Sequence, residues 1–279
     1  MVLNYYYGKQ GRRMLTKDMS IGVLDSGVGG LTVLKELRRK LPSENFIFLG
    51  DTARAPYGVR SEEEIRKFVE EMLCFFDTQN VKLVVSACNT ITTLGMDTLQ
   101  KTHKFGLIGM SKGENMVLSA SKKKKVGLFA TQFTVNSHMH QKAYTAIDSR
   151  IQVYGIPCTK FVPLVEAAKF GTPEMAAAIM EYTDEAKKDG VDVVLLGCTH
   201  FPFLHREIQK SMGRDVQVID PAAETATNVE HYLIEEGLYK MNGTGGTTIN
   251  FTGDMEKAEK LVAYSMPGEK FPFNKISLK

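Results

Sequence analysis

The chain has 279 residues, of which 43% are apolar and 24% charged, and its formal net charge is +3. This length suits one large α/β domain or two smaller ones, and the ordinary composition argues against disordered, coiled-coil and collagen-like classes. The small, dispersed charge gives no sign of a nucleic-acid or membrane partner, and without a long apolar run or a signal-peptide pattern we expect a cytoplasmic protein that acts on a small molecule.

The first predicted strand leads into a glycine-rich loop. Residues 21–24 form the strand, the loop at 25–30 reads Asp-Ser-Gly-Val-Gly-Gly, and a helix is predicted at 31–41. The loop lacks both the dinucleotide-binding pattern and the Gly-Lys-Ser/Thr of a P-loop, so it predicts no nucleotide site. Its glycines would either make a tight strand-to-helix turn or let a ligand approach Asp25 and Ser26 closely.

The next predicted helix covers residues 62–79 and contains the first cysteine. Ser61 and Glu64 form a capping-box pattern at its start, and apolar residues recur behind it at helical spacing. Cys74 lies within this pattern, so we expect it to be buried in the core.

Two other cysteines follow aliphatic strands. The run at 81–85 precedes Cys88, the run at 191–196 precedes Cys198, and small polar residues come after each cysteine. The four cysteines form no C-x-x-C pair and no dense framework, so we expect reduced thiols. We also expect Cys88 and Cys198 to lie at the carboxyl ends of their strands.

Neither the basic run nor the histidines predict a binding site. The four lysines at 122–125 precede a predicted strand and have no interleaved aromatics, which is typical of a solvated turn. Cys198, His200 and His205, with His138 and His140 elsewhere, do not follow the ligand spacing of a zinc site. We therefore expect no metal site.

The sequence contains an internal repeat. Cys88 and Cys198 lie 110 residues apart in matching strands, and Gly22 and Gly127 lie 105 residues apart in two glycine-bearing strands. In both halves the glycine strand comes before the cysteine strand. The shared order indicates two similar halves.

Helices are predicted between these strands, including one at 175–188 behind the cap Thr172 and one at 220–237. This alternation predicts an α/β fold of two similar domains, each a mainly parallel sheet flanked by helices. Ligands of such sheets bind beyond the carboxyl ends of the strands. If a pseudo-twofold axis relates the domains, Cys88 and Cys198 would face each other across the cleft between them.

Two opposed thiols suit racemisation, because one can remove a proton from one face of a carbon atom while the other returns a proton to the opposite face. A thiol is only slightly ionised at neutral pH, so the site would have to favour the thiolate. Two other readings remain open. Cys198 with His200 could serve a cysteine hydrolase, which would leave Cys88 without a role, and the chain could be an amino-acid-binding regulator.

Five motifs occur together and in order. They are Asp25-Ser26-Gly27-Val28-Gly29-Gly30, Asp51-Thr52-Ala53-Arg54-Ala55-Pro56-Tyr57-Gly58, Ala87-Cys88-Asn89-Thr90, Phe161-Val162-Pro163-Leu164-Val165-Glu166 and Leu196-Gly197-Cys198-Thr199-His200. From about residue 21 to about residue 254, the chain resembles the glutamate racemases of the aspartate/glutamate racemase family.

The resemblance implies a cofactor-independent interconversion of L- and D-glutamate that supplies D-glutamate for peptidoglycan, carried out by a homodimer. It implies that Cys88 is the base for D-glutamate and Cys198 the base for L-glutamate. Asp25 and His200 match the family's assisting groups, and Glu166 matches a further acidic residue of the site, although a charge at a helix start would also explain it. An aspartate racemase is the nearest alternative.

The resemblance also implies a set of substrate-binding positions. They are Asp25, Ser26, Tyr57, Gly58, Asn89, Thr90, Thr131, Thr134, Thr199 and His200. Tyr57 and Gly58 would otherwise read as a plain turn.

The family architecture implies a discontinuous first domain, residues 20–112 with 222–279, and a second domain at 113–221. Residues 1–19 match none of the motifs and are expected to form an N-terminal extension. Three positions depart from the family pattern: Ala55 and Thr159 replace commoner residues, and the junction at 110–113 lacks its usual proline.

Overall fold

The computed structural model describes residues 14–278, so most of the expected N-terminal extension lies outside the described residues. The strands within this range are β1 (Ser20–Asp25), β2 (Phe46–Gly50), β3 (Val81–Ser86), β4 (Gly106–Ile108), β5 (Lys125–Ala130), β6 (Gln152–Pro157), β7 (Val193–Gly197), β8 (Gln217–Ile219), β9 (Thr247–Phe251) and β10 (Phe273–Lys275).

Helices alternate with these strands. They are α1 (Leu31–Lys40), α2 (Glu62–Thr78), α3 (Asn89–Thr92), α4 (Met96–Gln100), α5 (Glu114–Ala120), α6 (Gln132–Asn136), α7 (Met139–Ile147), α8 (Phe161–Glu166), α9 (Pro173–Asp189), α10 (His205–Met212), α11 (Ala222–Glu235) and α12 (Met255–Ser265). Two 3-10 turns, Tyr57–Val59 and Phe201–Leu204, complete the pattern. No helix of the described chain is long and apolar enough to cross a membrane.

The predicted helix starts are confirmed by their caps. At the start of α2, Ser61 accepts from the backbone of Glu64, and the Glu64 carboxylate accepts from the backbone of Ser61. At the start of α9, the Thr172 hydroxyl accepts from the backbone of Met175. Each cap satisfies backbone N–H groups that have no partner within the first turn of the helix.

The strands form two entirely parallel sheets, which confirms the predicted fold class. The first has the order β10-β9-β2-β1-β3-β4 and the second the order β6-β5-β7-β8. Four neighbouring strands of the first sheet, β2-β1-β3-β4, therefore follow one another in the same order as the four strands of the second sheet. Gly22 lies opposite Val84 in the first sheet and Gly127 opposite Val194 in the second, so the two halves agree in strand register as well.

The C-terminal segment adds to the first sheet. Strand β9 pairs with β2, β10 pairs with β9, and α11 packs against α1. If the first domain is discontinuous, β9 and β10 must belong to the first sheet, and they do. The boundaries at 112/113 and 221/222 stay predictions.

Helices cover both faces of each sheet. On the first sheet, one apolar cluster includes Leu34 of α1 and Val229 of α11, and the other includes Phe76 of α2. On the second sheet, Ile179 of α9 and Val117 of α5 belong to the clusters on the two faces. Parallel strands covered on both faces are continuous apolar runs, which is why the cysteine strands are so aliphatic.

The prediction that Cys74 is buried is wrong. Cys74 is exposed on α2, and the polar partner nearest to its sulfur is Glu70, at 3.9 Å. The buried stripe of α2 runs through Ile65, Val69 and Met72. Cys74 lies one turn after Glu70 on the opposite, charged face.

Lys82 interrupts the aliphatic run of β3 and is nevertheless fully buried. Its ammonium group lies 2.6 Å from the Glu44 carboxylate and donates to the carbonyl oxygens of Lys17 and Leu238 at 2.7 and 2.8 Å. This ion pair ties β3 to the loops that enter β1 and β2 and to the loop that follows α11. A buried charge needs such complete pairing.

The predicted turn is present at 122–124, and the last lysine of the run, Lys125, is the first residue of β5. The Asp192 carboxylate accepts from the Ser121 hydroxyl at 2.7 Å and from the backbone N–H groups of Lys122 and Lys123, both at 2.6 Å. The side chains of Lys122 and Lys123 are exposed to solvent.

Candidate active site

A small cavity of about 20 Å³ lies where the carboxyl ends of the two sheets meet. It is lined by Ser26, Pro56, Tyr57, Gly58, Cys88, Asn89, Thr90, Thr131, Val162, Cys198, Thr199 and His200. Three further predicted residues, Asp25, Glu166 and Thr134, are hydrogen-bonded to lining residues. The structure thus brings all the predicted site residues together.

The two cysteines reach the cavity from equivalent places in the two sheets. Cys88 follows β3 and forms the N-cap of α3, and Cys198 directly follows β7. Their exposed fractions are only 5% and 7%. The expectation that both thiols lie at carboxyl ends of strands and face one cavity is met by this placement.

The Cys88 thiol is held in its neutral form. Burial, together with the neighbouring Asp25 charge, raises the pKa of Cys88 to about 12. The Ser26 hydroxyl lies 3.4 Å from the Cys88 sulfur and opposes part of this rise. Ionisation of the Cys88 thiol therefore needs a change in these surroundings.

Asp25 is a fully buried carboxyl group at the end of β1. It accepts from the backbone of Gly27 at 2.9 Å and from the Thr199 hydroxyl at 3.2 Å. Burial raises its pKa above the ordinary aspartate value, although the His200 charge opposes the shift. Asp25 therefore links the first glycine loop to the residue next to Cys198.

Cys198 has a different environment from Cys88. His200 lies between Cys198 and Glu166, with its Nδ1 atom 3.9 Å from the Cys198 sulfur and its Nε2 atom 2.7 Å from a Glu166 oxygen. Burial alone would lower the pKa of His200, but its bonds to Cys198 and Glu166 outweigh burial and raise it well above the ordinary value.

The pKa of Glu166 moves the other way. Burial opposes the ionised form, but the hydrogen bonds from His200 and from the backbone of Val28 outweigh burial and lower its pKa. The pair is therefore an imidazolium and a carboxylate, and the positive ring lies beside the Cys198 sulfur.

The glycine loop is shaped by side chains of the second sheet. A Cβ atom on Gly27 would lie 2.4 Å from a Glu166 oxygen, and one on Gly29 would lie 2.4 Å from Nδ1 of His200. The sequence allowed either a tight turn or close approach of a ligand. In the structure the close approach is made by His200 and Glu166 themselves.

A group of threonines joins the two sheets on the other side of the cavity. The hydroxyls of Thr90 and Thr131 lie 3.1 Å apart, and Thr131 also donates to Thr134 at 3.1 Å. The Thr131 hydroxyl caps α6 by accepting from the backbone of Thr134. Asn89 is buried, and neither polar atom of its side chain has a partner among the described residues, so both atoms are free to bind a polar ligand.

Tyr57 and Gly58 form one wall of the cavity. The ring of Tyr57 is buried and its hydroxyl donates to Asp51. Burial and the Asp51 charge raise the pKa of Tyr57, so the phenol is neutral. Gly58 packs so tightly against the second sheet that a Cβ atom would lie 2.8 Å from Cβ of Thr131.

Sequence reasoning missed two residues that support the site. The Thr32 hydroxyl of α1 donates to the Thr199 carbonyl at 3.1 Å, across from one sheet to the other. Asp51 anchors Tyr57. Asp51 opens one of the recognised motifs, but nothing in the spacing shows that its carboxylate turns back toward the tyrosine six residues later.

Between residues 14 and 278, no group of three or more His, Cys, Asp or Glu side chains could hold a metal ion. The arrangement offers two thiols drawn from opposed sheets, one beside an imidazolium, in a cavity that excludes bulk water. Such a site can transfer protons to and from one carbon atom.

Comparisons with known proteins agree with this geometry. The family model described as Asp/Glu/hydantoin racemase matches residues 21–229. The glutamate racemase of Oceanobacillus iheyensis is 44% identical over 218 residues, which is 77% of this chain and 80% of the relative.

Solved structures are similar over nearly the whole chain. A glutamate racemase isoform from Bacillus anthracis superposes with a TM-score of 0.87 at 34% identity, covering 94% of this chain and 98% of the other. The glutamate racemase of Francisella tularensis in complex with D-glutamate gives a TM-score of 0.85 at 30% identity, with the same coverage. The protein therefore belongs to the Asp/Glu/hydantoin racemase family and is an amino-acid racemase that resembles the glutamate racemases within it.

Proposed function

We propose that the protein interconverts L-glutamate and D-glutamate without a cofactor, with Cys88 and Cys198 as the two acid–base groups. The observation that carries this proposal is the pair of cysteines at equivalent ends of two similar sheets, both lining one cavity. The choice of glutamate is supported by relatives that are glutamate racemases at up to 44% identity, and by the D-glutamate complex of the Francisella tularensis protein.

In the direction from L-glutamate, the Cys198 thiolate removes the α-proton and becomes a thiol. The electron pair of the broken C–H bond stays on the α-carbon and its carboxylate. The Cys88 thiol then donates its proton to the opposite face and becomes a thiolate. From D-glutamate the same steps run in reverse, with Cys88 as the base. General acid–base catalysis by each thiol accounts for about 10²- to 10⁴-fold.

The neighbouring groups support these roles differently. The imidazolium of His200, held by Glu166, stabilises negative charge on Cys198. Burial and the Asp25 charge keep Cys88 protonated, and the Ser26 hydroxyl opposes part of this effect.

The remaining predicted residues would bind the polar ends of the substrate. Asn89, Thr90, Thr131 and Thr199 line the cavity, and Thr134 orients Thr131. Tyr57 and Gly58 would close the substrate off from water, which strengthens every polar interaction inside.

Further roles follow from the resemblance to glutamate racemases. We propose that the D-glutamate supplies peptidoglycan synthesis, that the protein acts in the cytoplasm and that it works as a homodimer. The domain boundaries, 20–112 with 222–279 and 113–221, belong to the same proposal and are supported by the membership of the two sheets.

A cysteine hydrolase is a second candidate, because Cys198, His200 and Glu166 form a thiol–imidazole–carboxylate row. This reading gives no role to Cys88, which lines the same cavity. Racemisation uses both thiols and is the better account.

The test is hydrogen exchange in D₂O. The protein is incubated with L-glutamate, D-glutamate or either enantiomer of aspartate, with a chelator and no added cofactor. Proton NMR follows loss of the α-hydrogen and circular dichroism follows the optical signal. We expect exchange and loss of optical signal with both glutamate enantiomers. Exchange with aspartate alone would indicate an aspartate racemase. No exchange with either glutamate enantiomer would overturn the proposal.

A further inference from the structure

The wall of the cavity that contains Tyr57 is held from behind by a buried carboxylate. Asp51, at the end of β2, is fully buried and does not line the cavity. It accepts from the Tyr57 hydroxyl, from Nε of Arg54 at 2.6 Å and from the Thr252 hydroxyl at 2.7 Å. Charge-assisted hydrogen bonds of this kind are stronger than neutral ones and fix the geometry of their donors.

The C-terminal segment supplies one of these donors and fastens the loop at two more points. The Thr252 hydroxyl accepts from the backbone of Ala53 at 3.0 Å, and the backbone of Gly253 donates to the Thr52 hydroxyl at 2.9 Å. A Cβ atom on Gly253 would lie 2.7 Å from that hydroxyl, so the two segments are in close contact. The segment after β9 is therefore joined directly to the loop that carries Tyr57.

Arg54 fastens the other side of the loop to α2. Its guanidinium pairs with Asp51 and with Glu71, and it lies over the ring of Phe68 at 4.1 Å. The loop that begins at Asp51 is thus held between β9 and α2, and its free end, Tyr57 and Gly58, faces the cavity.

We propose that Asp51 and Thr252 are positioning residues that hold the Tyr57 wall closed over Cys88. We name Asp51, Arg54, Glu71 and Thr252 the Asp51 brace. The inference rests on the proposed function for its effect on turnover, but its effect on access to Cys88 is independent of that function. The brace places part of the control of the cavity in the C-terminal segment, beyond the residues 21–229 that the family model matches.

A carboxylate is required at this position by the number of donors. One oxygen of Asp51 serves both Tyr57 and Arg54, and the other serves Thr252. An Asn side chain of the same size has only one accepting oxygen. Asp51→Asn therefore removes the negative charge that pairs with Arg54, and with its oxygen toward Tyr57 and Arg54 it keeps Thr252 only if the hydroxyl accepts from the amide where it now donates to the carboxylate.

The test measures how fast iodoacetamide alkylates each cysteine, without substrate, by mass spectrometry of the digested protein. Cys88 and Cys198 report access to the cavity. Cys74 is exposed and serves as the solvent-accessible reference, and Cys158 is buried in the core of the second sheet and reports general loosening. The proteins compared are the wild type, Asp51→Asn, Thr252→Val, Thr252→Ser and Thr248→Val.

Thr248→Val is the matched control. Thr248 lies in β9, four residues before Thr252, and its hydroxyl forms no hydrogen bond with another residue of the described chain. Thr252→Ser keeps the hydroxyl and should restore the wild-type behaviour. We expect the rate of Cys88 alkylation to rise about two- to tenfold in Asp51→Asn and Thr252→Val, because each variant loses one or two hydrogen bonds of the brace. The rate should stay unchanged in Thr252→Ser and Thr248→Val.

Kinetics provide the second measurement. The same two variants should raise KM for both glutamate enantiomers by about two- to tenfold, with a smaller change in kcat, because the brace touches neither thiol. Unchanged Cys88 alkylation in both variants would overturn the inference, and so would a parallel rise at Cys158. If Asp51→Asn does not fold, the comparison of Thr252→Val with Thr252→Ser tests the inference. Absence of racemisation by the wild type would overturn the proposed function and leave the alkylation result intact.

Discussion

Cys88 and Cys198 occupy equivalent places in the two sheets but have different charges beside them. Cys88 lies near the Asp25 carboxyl group, which with burial raises its pKa to about 12. Cys198 lies beside the His200 imidazolium. Proton transfer between two faces needs one thiolate and one thiol at the start. The two thiols therefore differ in the charge that lies beside them, which gives the proposed pair an unequal starting point.

The first prediction concerns these two thiols. Cys88→Ala and Cys198→Ala should each lower the rate of glutamate racemisation by at least about 10²-fold, because each removes the only acid–base group on one face of the substrate. The measurement is the initial rate of change in circular dichroism from each enantiomer.

Cys74→Ala is the control for this prediction, since Cys74 is exposed on α2 and should be dispensable for activity. Full racemase activity in Cys88→Ala would contradict the two-thiol mechanism. Hydrolytic activity that persists in Cys88→Ala and is lost in Cys198→Ala would favour the cysteine hydrolase.

The second prediction concerns the pair of His200 and Glu166. The raised pKa of His200 stabilises the fold below its ordinary value of 6.5, and this contribution is lost as pH rises through the raised value. The lowered pKa of Glu166 stabilises the fold above its ordinary value of 4.5, and this contribution is lost as pH falls through the lowered value. Both contributions are complete between these two ordinary values.

Glu166→Gln should therefore lower the free energy of unfolding by roughly 1–3 kcal/mol, with the largest loss between pH 4.5 and 6.5. Urea unfolding of the wild type and the variant across this range measures the difference. Equal loss at every pH up to strongly alkaline conditions would contradict an ion pair.

At the level of residues, the structure brings the predicted site residues together. The five motifs contain every predicted residue that lines the cavity except Thr131, because the lining comes mostly from short runs at the ends of strands. The failures concern side chains whose role depends on distant partners. Lys82 reads as a break in an aliphatic run until Glu44 is known to lie beside it. Cys74 shares a helix with apolar neighbours but lies on its charged face.

The short elements around the cavity depend on contacts between the two sheets. The 3-10 turn Tyr57–Val59 lies against α6, and Gly58 has no room for a side chain there. Gly58 does not have a positive φ, so a larger residue would meet a steric obstacle and no backbone strain. The contact exists only while the wall is closed against the second sheet.

The third prediction follows from this contact. Gly58→Ala should lower kcat/KM for glutamate by about five- to a hundredfold, because overpacking costs about 1–3 kcal/mol. Here the added methyl group would destabilise the closed form of the cavity. The temperature of unfolding should change little. Steady-state kinetics and a thermal melt measure the two effects.

Gly246→Ala is a suitable control, since a Cβ atom there would meet only a side-chain oxygen of Asn45, at 3.7 Å. It should leave both kinetics and stability near the wild type. A Gly58→Ala protein with wild-type kcat/KM would show that the wall closes without this contact.

Long elements were predictable and short ones were not. The expected helices at 31–41 and 62–79 differ from α1 and α2 by one residue at their ends. Both helices have an apolar stripe within their own sequence, and α2 also has the Ser61 cap. Helices α3 and α8 have four and six residues and no such pattern, and packing at the cavity determines them. The return of the C-terminal segment beside β2 is a long-range pairing, which only the family resemblance implied.

The two sheets meet so closely that the site is nearly closed. The cavity of about 20 Å³ has room for about one water molecule, so glutamate must enter while the sheets are further apart. The hydrogen bonds between the sheets, Thr90 to Thr131 and Thr32 to Thr199, would then break and re-form in each cycle. A ligand that bridges the sheets should favour the closed arrangement of the whole molecule.

The fourth prediction is that glutamate stabilises the protein against heat. A ligand at a hundred times its Kd stabilises the folded state by about 2.7 kcal/mol, which for a chain of this size corresponds to about 5 °C in Tm. The shift should be the same whichever enantiomer is added to the wild type, because the protein converts either one into the same mixture. A Cys88→Ala/Cys198→Ala protein cannot interconvert them, so it should give a separate shift for each enantiomer. A thermal melt of both proteins measures this. A lasting difference between the enantiomers in the wild type would contradict racemisation, and no shift in either protein would contradict a glutamate site between the sheets.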